Sequence, residues 1–242
     1  MGISVCKIDQ AASDFFYDHN EKSVVGVAVS GGSDSVALLL ALCKIIPAKN
    51  LKAVTVDHGL RTEAASEADW VSQLCLTLGV DHNTLKANNL APGPNLQARA
   101  RDVRYSLLAQ WGQICDVICL GHSQTDVAET FLMRLSRGSG VDGLASMASG
   151  WDYQGLSWAR PFLGLSREEL RHYLKVNNQG WRDDPSNDDL KYKRVQIRQS
   201  QNQLDQLGLS TSRLAKTANR MSDVREALTF ALKNIRPQLM QN

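Results

Sequence analysis

Residues 30 to 35 read Ser-Gly-Gly-Ser-Asp-Ser, which combines backbone freedom, hydroxyl groups and one carboxylate. Gly31 and Gly32 permit the positive φ values and the close backbone approach that a turn wrapped around a phosphate requires. Ser30, Ser33 and Ser35 supply hydroxyl donors, and Asp34 is a carboxylate able to hold Mg²⁺. A helix beginning near Asp34 turns its free N–H groups and the positive end of its dipole toward the anion. That dipole contributes only about 0.3–1 kcal/mol at an exposed end, so binding rests on many N–H and hydroxyl contacts together with a metal. The order of residues matches neither Gly-x-x-x-x-Gly-Lys-Ser/Thr nor Gly-x-Gly-x-x-Gly, the two commonest nucleotide loops. A plain Gly-Gly turn is the bland alternative. Asp34 is expected at an exposed helix start, outside the core.

Other side chains capable of chemistry are spread along the chain. Asp126 and Glu129 lie three apart near the start of a helix, hence on one face. Carboxylates at that place are also favoured by the dipole alone. Arg101 and Arg104 share the same spacing, and guanidinium forks suit phosphate oxygens; surface helix arginines are the alternative. His58 and Arg61 follow a strand end, where loop residues reach a ligand, and His122 ends another strand, where it either contacts a ligand or only shapes the turn. Arg137 to Gly143 has the composition of a flexible loop.

The elements that must position these groups alternate. Val24 to Ser30 is a continuous apolar, β-branched run, as in a strand buried on both faces. An apolar helix follows over about 34–46, ended by Pro47. The pattern repeats as strand 51–56, helix 63–78, a strand in Gly79 to Lys86, helix 96–111, strand 116–121 and helix 125–137. Such alternation predicts an α/β fold, a doubly wound parallel sheet with ligands at the carboxyl ends of its strands. Beyond Gly138 the periodicity fails: residues 138–144 and the Gly150 region read as loop, and Gly155 to Pro161 as a short strand. Ser166 to Asn178 reads as a helix with Ser166 and Glu169 in a capping box. A long helix is expected over about 210–234.

Composition sets the outer limits. With 43% hydrophobic and 21% charged residues the chain reads as an ordinary globular protein, and no apolar run approaches the roughly 20 residues needed to cross a bilayer. The first residues lack the pattern of a signal or transit peptide, so the cytoplasm is the expected location. Five cysteines form no Cys-x-x-Cys pair and read as free thiols. Residues 191–242 carry ten basic and three acidic side chains, a net +7 on a nearly neutral body. That is the footprint of a polyanion partner such as RNA, or else a solvated helical face.

The loop at 30–35 resembles the PP-loop of the ATP pyrophosphatase superfamily. Further matches are Val56-Asp57-His58-Gly59-Leu60-Arg61, Asn95, Ala100-Arg101-x-x-Arg104-Tyr105, Gly121-His122, Asp126-x-x-Glu129-Thr130-Phe131-Leu132-Met133-Arg134, Arg137-Gly138-Ser139-Gly140-x-x-Gly143-Leu144, Arg160-Pro161-Phe162, Asp184-Pro185-Ser186-Asn187 and Arg194-x-x-Ile197-Arg198. Together, over about residues 22 to 200, these resemble the tRNA(Ile)-lysidine synthetase family in a short form. The resemblance implies a Rossmann-like PP-loop catalytic domain at 1–200 and a small helical, basic extension at 201–242. It implies ATP and Mg²⁺ as cofactors, and as partners an isoleucine tRNA with a CAU anticodon and free L-lysine; a homodimer is left open.

The same resemblance implies roles. Asp34, Arg101, Asp126 and Glu129 are the expected catalytic set, with Asp34 and Asp126 as Mg²⁺ ligands and Asp126 and Glu129 facing either the metal or the lysine ammonium. Ser30, Gly31, Gly32, Ser33, Asp34, Ser35, His58 and Arg61 are expected at ATP, and Arg104, Arg137, Arg194 and Arg198 at tRNA or phosphate. The chain departs from the family pattern at Gln97 (usually Glu), at Thr125 and Val127 (usually Asp and Gln) and at Val195 (usually Asn). A PP-loop thiolase and a degenerate ATP- or tRNA-binding paralogue are the competing readings; the first generally needs paired cysteines.

Overall fold

A computed structural model describes residues 2–17, 23–59, 63–87, 93, 96–183, 191 and 193–239. By internal contacts the chain divides into two compact units, residues 1–123 with 149–184, and residues 124–148 with 185–242. Residue 200, the expected limit of the catalytic region, lies within the second unit.

The first unit is built on six strands: β1 (Val25–Ala28), β2 (Leu51–Asp57), β3 (Asp81–Lys86), β4 (Val117–Leu120), β5 (Gly150–Tyr153) and β6 (Leu156–Ala159). Their order is β3-β2-β1-β4-β6-β5, parallel except for β5, which pairs antiparallel with β6. The order reverses direction at β1, so the crevice for a ligand opens beside the end of that strand. β5 falls where the sequence reads as loop. Its pattern is hidden because Gln154 and Gly155, both at positive φ, turn the chain straight back onto β6.

Side chains alternate between two cores, as the pleat requires. Val25, Val27 and Val29 face one core with Leu51, Ala53, Val117 and Cys119. Ala28, Val54, Ile118 and Leu120 face the other with Leu108 and Trp158. The first core is covered by α1 (Gly2–Tyr17), α2 (Ser33–Cys43), α3 (Glu63–Leu78) and α7 (Arg167–Val176), the second by α4 (Leu96–Trp111). Helices α3 and α4 have the bounds expected from sequence, while α2 stops at Cys43, three residues early. The α7 capping box is present in both directions: Ser166 Oγ accepts from the Glu169 N–H, and Glu169 accepts from the Ser166 N–H.

The second unit is helical. It contains α5 (Gln124–Leu135), α6 (Val141–Leu144), α8 (Lys193–Gln199), α9 (Gln201–Gln206) and α10 (Thr211–Leu239). α6 replaces part of the loop expected at 138–144, and α10 runs five residues beyond its expected end. Val127, Ala128 and Phe131 of α5 are buried, as are Leu214, Ala215 and Ala218 of α10, which packs against α5 and α6. Among the described residues no helix is long and apolar enough to cross a membrane.

Candidate active site

Between β1 and α2 the chain closes into a tight loop. Gly31 has φ +87, a region that L side chains rarely adopt. Ser35 Oγ donates to the Gly32 carbonyl at 3.0 Å and accepts from the Ser30 N–H at 3.1 Å. Its single proton is thus committed, so Ser30 Oγ is the donor in the 3.3 Å contact between the two hydroxyls. Gly121, just past β4, allows the opposite wall to come close, since a Cβ there would sit 2.7 Å from Ser35 Cα. At the other edge the Arg182 N–H donates to the Gly31 carbonyl at 2.9 Å.

Asp34 corrects one expectation. It is not exposed but 8% accessible, because its carboxylate is enclosed by the ends of other elements. Oδ1 accepts from Ser33 Oγ at 2.9 Å; Oδ2 accepts from Ser123 Oγ at 3.0 Å and from Arg167 Nε at 3.2 Å. Mg²⁺ is the ion that the resemblance implies for such a loop, and the hard Asp34 carboxylate would fit it, while the helix N-terminus and the serine hydroxyls suit phosphate oxygens. Among the described residues no three His, Cys, Asp or Glu side chains gather into a metal site. Mg²⁺ is ordinarily held by one or two carboxylates with phosphate oxygens and water, and Asp34 would supply one.

Around the carboxyl ends of β2, β4 and β6 stands a cationic and aromatic wall. His58, after β2, is half-buried; burial holds its imidazole below the usual 6.5, the positive charge of Arg104 adds to this, and Asp57 opposes it. Burial likewise pulls the Arg104 guanidinium down, with Arg101 adding to the effect. Arg101 is exposed on α4 and donates to Tyr105 Oη at 3.3 Å. His58, Arg101 and Arg104, expected in separate roles, all lie in the first unit. Arg61 lies outside the described residues, as do Asn95 and the Asp184-Pro185-Ser186-Asn187 motif.

In the second unit Asp126 and Glu129 share one face of α5 as expected and are 8% and 3% exposed. The structure puts two arginines expected at phosphate onto these carboxylates. Arg198 donates from Nε and Nη2 to the two oxygens of Glu129 at 2.9 and 3.2 Å. Arg194 Nε lies 2.8 Å from Glu129 Oε2, an ion pair too misaligned to count as a hydrogen bond, while its Nη2 donates to Thr130 Oγ1 and lies 3.7 Å from Asp126. Arg137 is exposed at the start of the 137–143 segment. Arg134 shapes that segment's far end by donating to the carbonyls of Gly143 and Ala145 at 3.0 and 2.9 Å.

Sequence reasoning did not single out Ser123 or Arg167. The first offered a weak signal, a hydroxyl straight after the Gly-His pair; the second offered none, because its contact spans 133 residues.

A family model described as a PP-loop domain matches residues 5–204. The chain belongs to the PP-loop family. This PP-loop chain is 44% identical over 210 residues to a tRNA(Ile)-lysidine synthase of Ruegeria pomeroyi, covering 85% of the chain and 50% of that protein. It is 37% identical over 223 residues to the tRNA(Ile)-lysidine synthase of Bradyrhizobium diazoefficiens, covering 90% and 62%. The PP-loop chain thus spans about half to three fifths of the length of these relatives. Among solved structures it is similar in fold to the U34-tRNA thiolase NcsA of Methanococcus maripaludis, determined with its 4Fe-4S cluster. The TM-score there is 0.72 at 16% identity, covering 91% of the chain and 80% of the thiolase.

Cys43, Cys75, Cys115 and Cys119 are free thiols in this PP-loop chain, three of them buried. Burial pushes Cys43 and Cys115 up to about 11 and Cys75 to about 12. The thiolate that sulfur or cluster chemistry uses is therefore strongly disfavoured at these positions.

Proposed function

We propose that the chain carries the catalytic region of a tRNA(Ile)-lysidine synthase. Residues 1–200 act as the ATP-binding part and residues 201–242 as a basic helical extension. The C2 oxygen of the wobble cytidine, position 34 of a CAU-anticodon isoleucine tRNA, attacks the α-phosphorus of ATP. The bond to the β-phosphate breaks and pyrophosphate leaves. The ε-amine of free lysine then attacks C2, the C2–oxygen bond breaks and AMP departs with that oxygen, leaving lysidine.

The observation that carries this reading is the enclosed Asp34 carboxylate at the mouth of the PP-loop, in a chain 44% identical to a named lysidine synthase. The loop's N–H groups and hydroxyls bind the pyrophosphate portion of ATP. When bound at Asp34, Mg²⁺ would supply positive charge against that leaving group. Arg101 is the candidate for contact with phosphate or cytidine, with His58 and Arg104 near it, and Arg61 keeps its expected role at ATP. Lysine is protonated near pH 7, and freeing its amine costs about 4.6 kcal/mol from an ordinary value near 10.4. The acidic pair Asp126 and Glu129 is the candidate for holding the ammonium group; Glu129, gripped by two guanidinium groups, is the poorer base, so taking the proton falls to Asp126. Arg137, with the tail's +7, is the candidate for tRNA contact, whereas Arg194 and Arg198 are engaged by Glu129. The cytoplasm, which holds ATP, lysine and tRNA together, is the proposed setting.

The test is incubation of the chain with labelled lysine, ATP, Mg²⁺ and unmodified tRNA(Ile). Label should enter the anticodon with one pyrophosphate released per lysine. Pyrophosphate release that is independent of lysine, or no release at all, sinks the reading and favours a binding paralogue.

A further inference from the structure

One buried cation is not used by the chemistry above. Arg160 follows β6 directly, is 7% exposed, and is pulled below its usual value by burial. Two side chains fix its plane, and a backbone bond anchors the residue. Its guanidinium carbon stands 3.8 Å from the centre of the Trp151 ring, and Trp151 is itself stacked on Trp158 at 5.7 Å and 20°. Nη2 donates to Tyr105 Oη at 3.4 Å, and the backbone N–H donates to the Ser149 carbonyl at 2.7 Å. Held in this way, Nε donates to Nδ1 of His122 at 3.2 Å.

A guanidinium has donors only. The His122 Nδ1 facing it must present a lone pair, and the ring's proton then belongs on Nε2. The other tautomer would set N–H against N–H. His122 occupies the tight turn at the carboxyl end of β4, where its own N–H reaches back to the Leu120 carbonyl at 2.9 Å, between Gly121, which abuts the PP-loop, and Ser123, which donates to Asp34.

We propose that Arg160 is a positioning residue that locks His122 as the Nε2–H tautomer, making His122 a hydrogen-bond donor to an acceptor oxygen at the carboxyl ends of the strands and not a base. The oxygen class is phosphate or carbonyl. In the proposed reaction His122 is then not a base, and the lysine proton is left to a carboxylate. Lysine at position 160 cannot substitute, because it lacks the planar edge that lets Nε and Nη2 reach His122 and Tyr105 together.

The inference rests on the proposed activity only in its kinetic arm. The deciding experiment is a long-range proton–nitrogen correlation spectrum of the ¹⁵N-labelled chain, which distinguishes protonated from unprotonated imidazole nitrogens. His122→Gln assigns the resonances. The wild-type ring should show an unprotonated Nδ1 and a protonated Nε2; a protonated Nδ1 overturns the proposal. In Arg160→Lys the two nitrogens should move toward a tautomer average. Lysine-dependent kcat should fall by roughly 10- to 100-fold, by analogy with groups that orient a metal-bound histidine, with KM for ATP changed less than about two-fold. An unchanged spectrum with unchanged kcat also overturns it. Should Arg160→Lys fail to fold, Tyr105→Phe, which removes only the hydroxyl, should shift the same resonances in the same sense, and a silent spectrum there counts against the lock. If the wild type releases no pyrophosphate, the lysidine reading fails while the spectrum still decides the tautomer.

Discussion

Arg167 Nε lies 3.2 Å from Asp34 Oδ2, joining the first residue of α7 to the first turn of α2 across 133 residues of sequence. The carboxylate proposed to hold the metal is therefore also a structural partner, with Arg167 19% and Asp34 11% exposed at their side chains.

Asp34→Ala should abolish ATP turnover and also lower stability. Removing the carboxylate takes a partner from Ser33, Ser123 and Arg167 at once, a loss of about 1–3 kcal/mol for a largely buried polar cluster. The checks are pyrophosphate release and the urea midpoint. Wild-type pyrophosphate release would sink the assignment of the loop.

Glu129→Gln should damage stability as well as lysine transfer. A fully buried broken ion pair costs roughly 3–5 kcal/mol; here the partners Arg194 and Arg198 are 38% and 31% exposed and screened by water, so about 2 kcal/mol is expected. Equal turnover of lysine and ornithine by the wild type, or a Glu129→Gln variant kinetically identical to it, would remove the acidic pair from amine recognition.

Stability should also report two imidazoles. Burial holds His58 and His82 below 6.5, and His82 Nε2 donates to Thr55 Oγ1, whose own proton goes to the Val29 carbonyl. The folded state favours the neutral rings, so the unfolded chain binds more protons as pH falls through 6.5. Stability contributed by these groups is complete above that value and is lost below it. The melting temperature should be level above about pH 7 and fall from about 6.5 downward, with His82→Gln flattening the slope. A slope unaffected by both His58→Gln and His82→Gln would contradict this.

The basic tail predicts a salt effect. Lys191, Lys193 and Lys216 are exposed, and each phosphate contact releases condensed counterions. Neutralising all three should weaken tRNA binding and reduce the slope of log affinity against log salt by roughly two to three, with ATP binding nearly unchanged. Wild-type affinity and slope in the triple variant would mean that tRNA docks elsewhere.

Local and periodic information determined much of this protein. The alternation of apolar runs and amphipathic stretches announced β1 to β4 and α2 to α5, and the capping box at Ser166 marked the start of α7. Ser-Gly-Gly-Ser-Asp-Ser announced a phosphate loop because glycine freedom and hydroxyl donors act within six residues. The three-residue spacing of Asp126 and Glu129 placed both on one helix face. What only the tertiary structure decided were relationships between distant residues. The sequence leaves open that Asp34 is buried under Ser123 and Arg167, that Arg194 and Arg198 grip Glu129, and that Arg160 faces His122. It also hid β5, an edge strand of four residues carrying one antiparallel pairing. Such contacts depend on which strand ends the sheet order brings together, and a guanidinium carries no mark in its sequence neighbourhood of the distant carboxylate or imidazole it will meet.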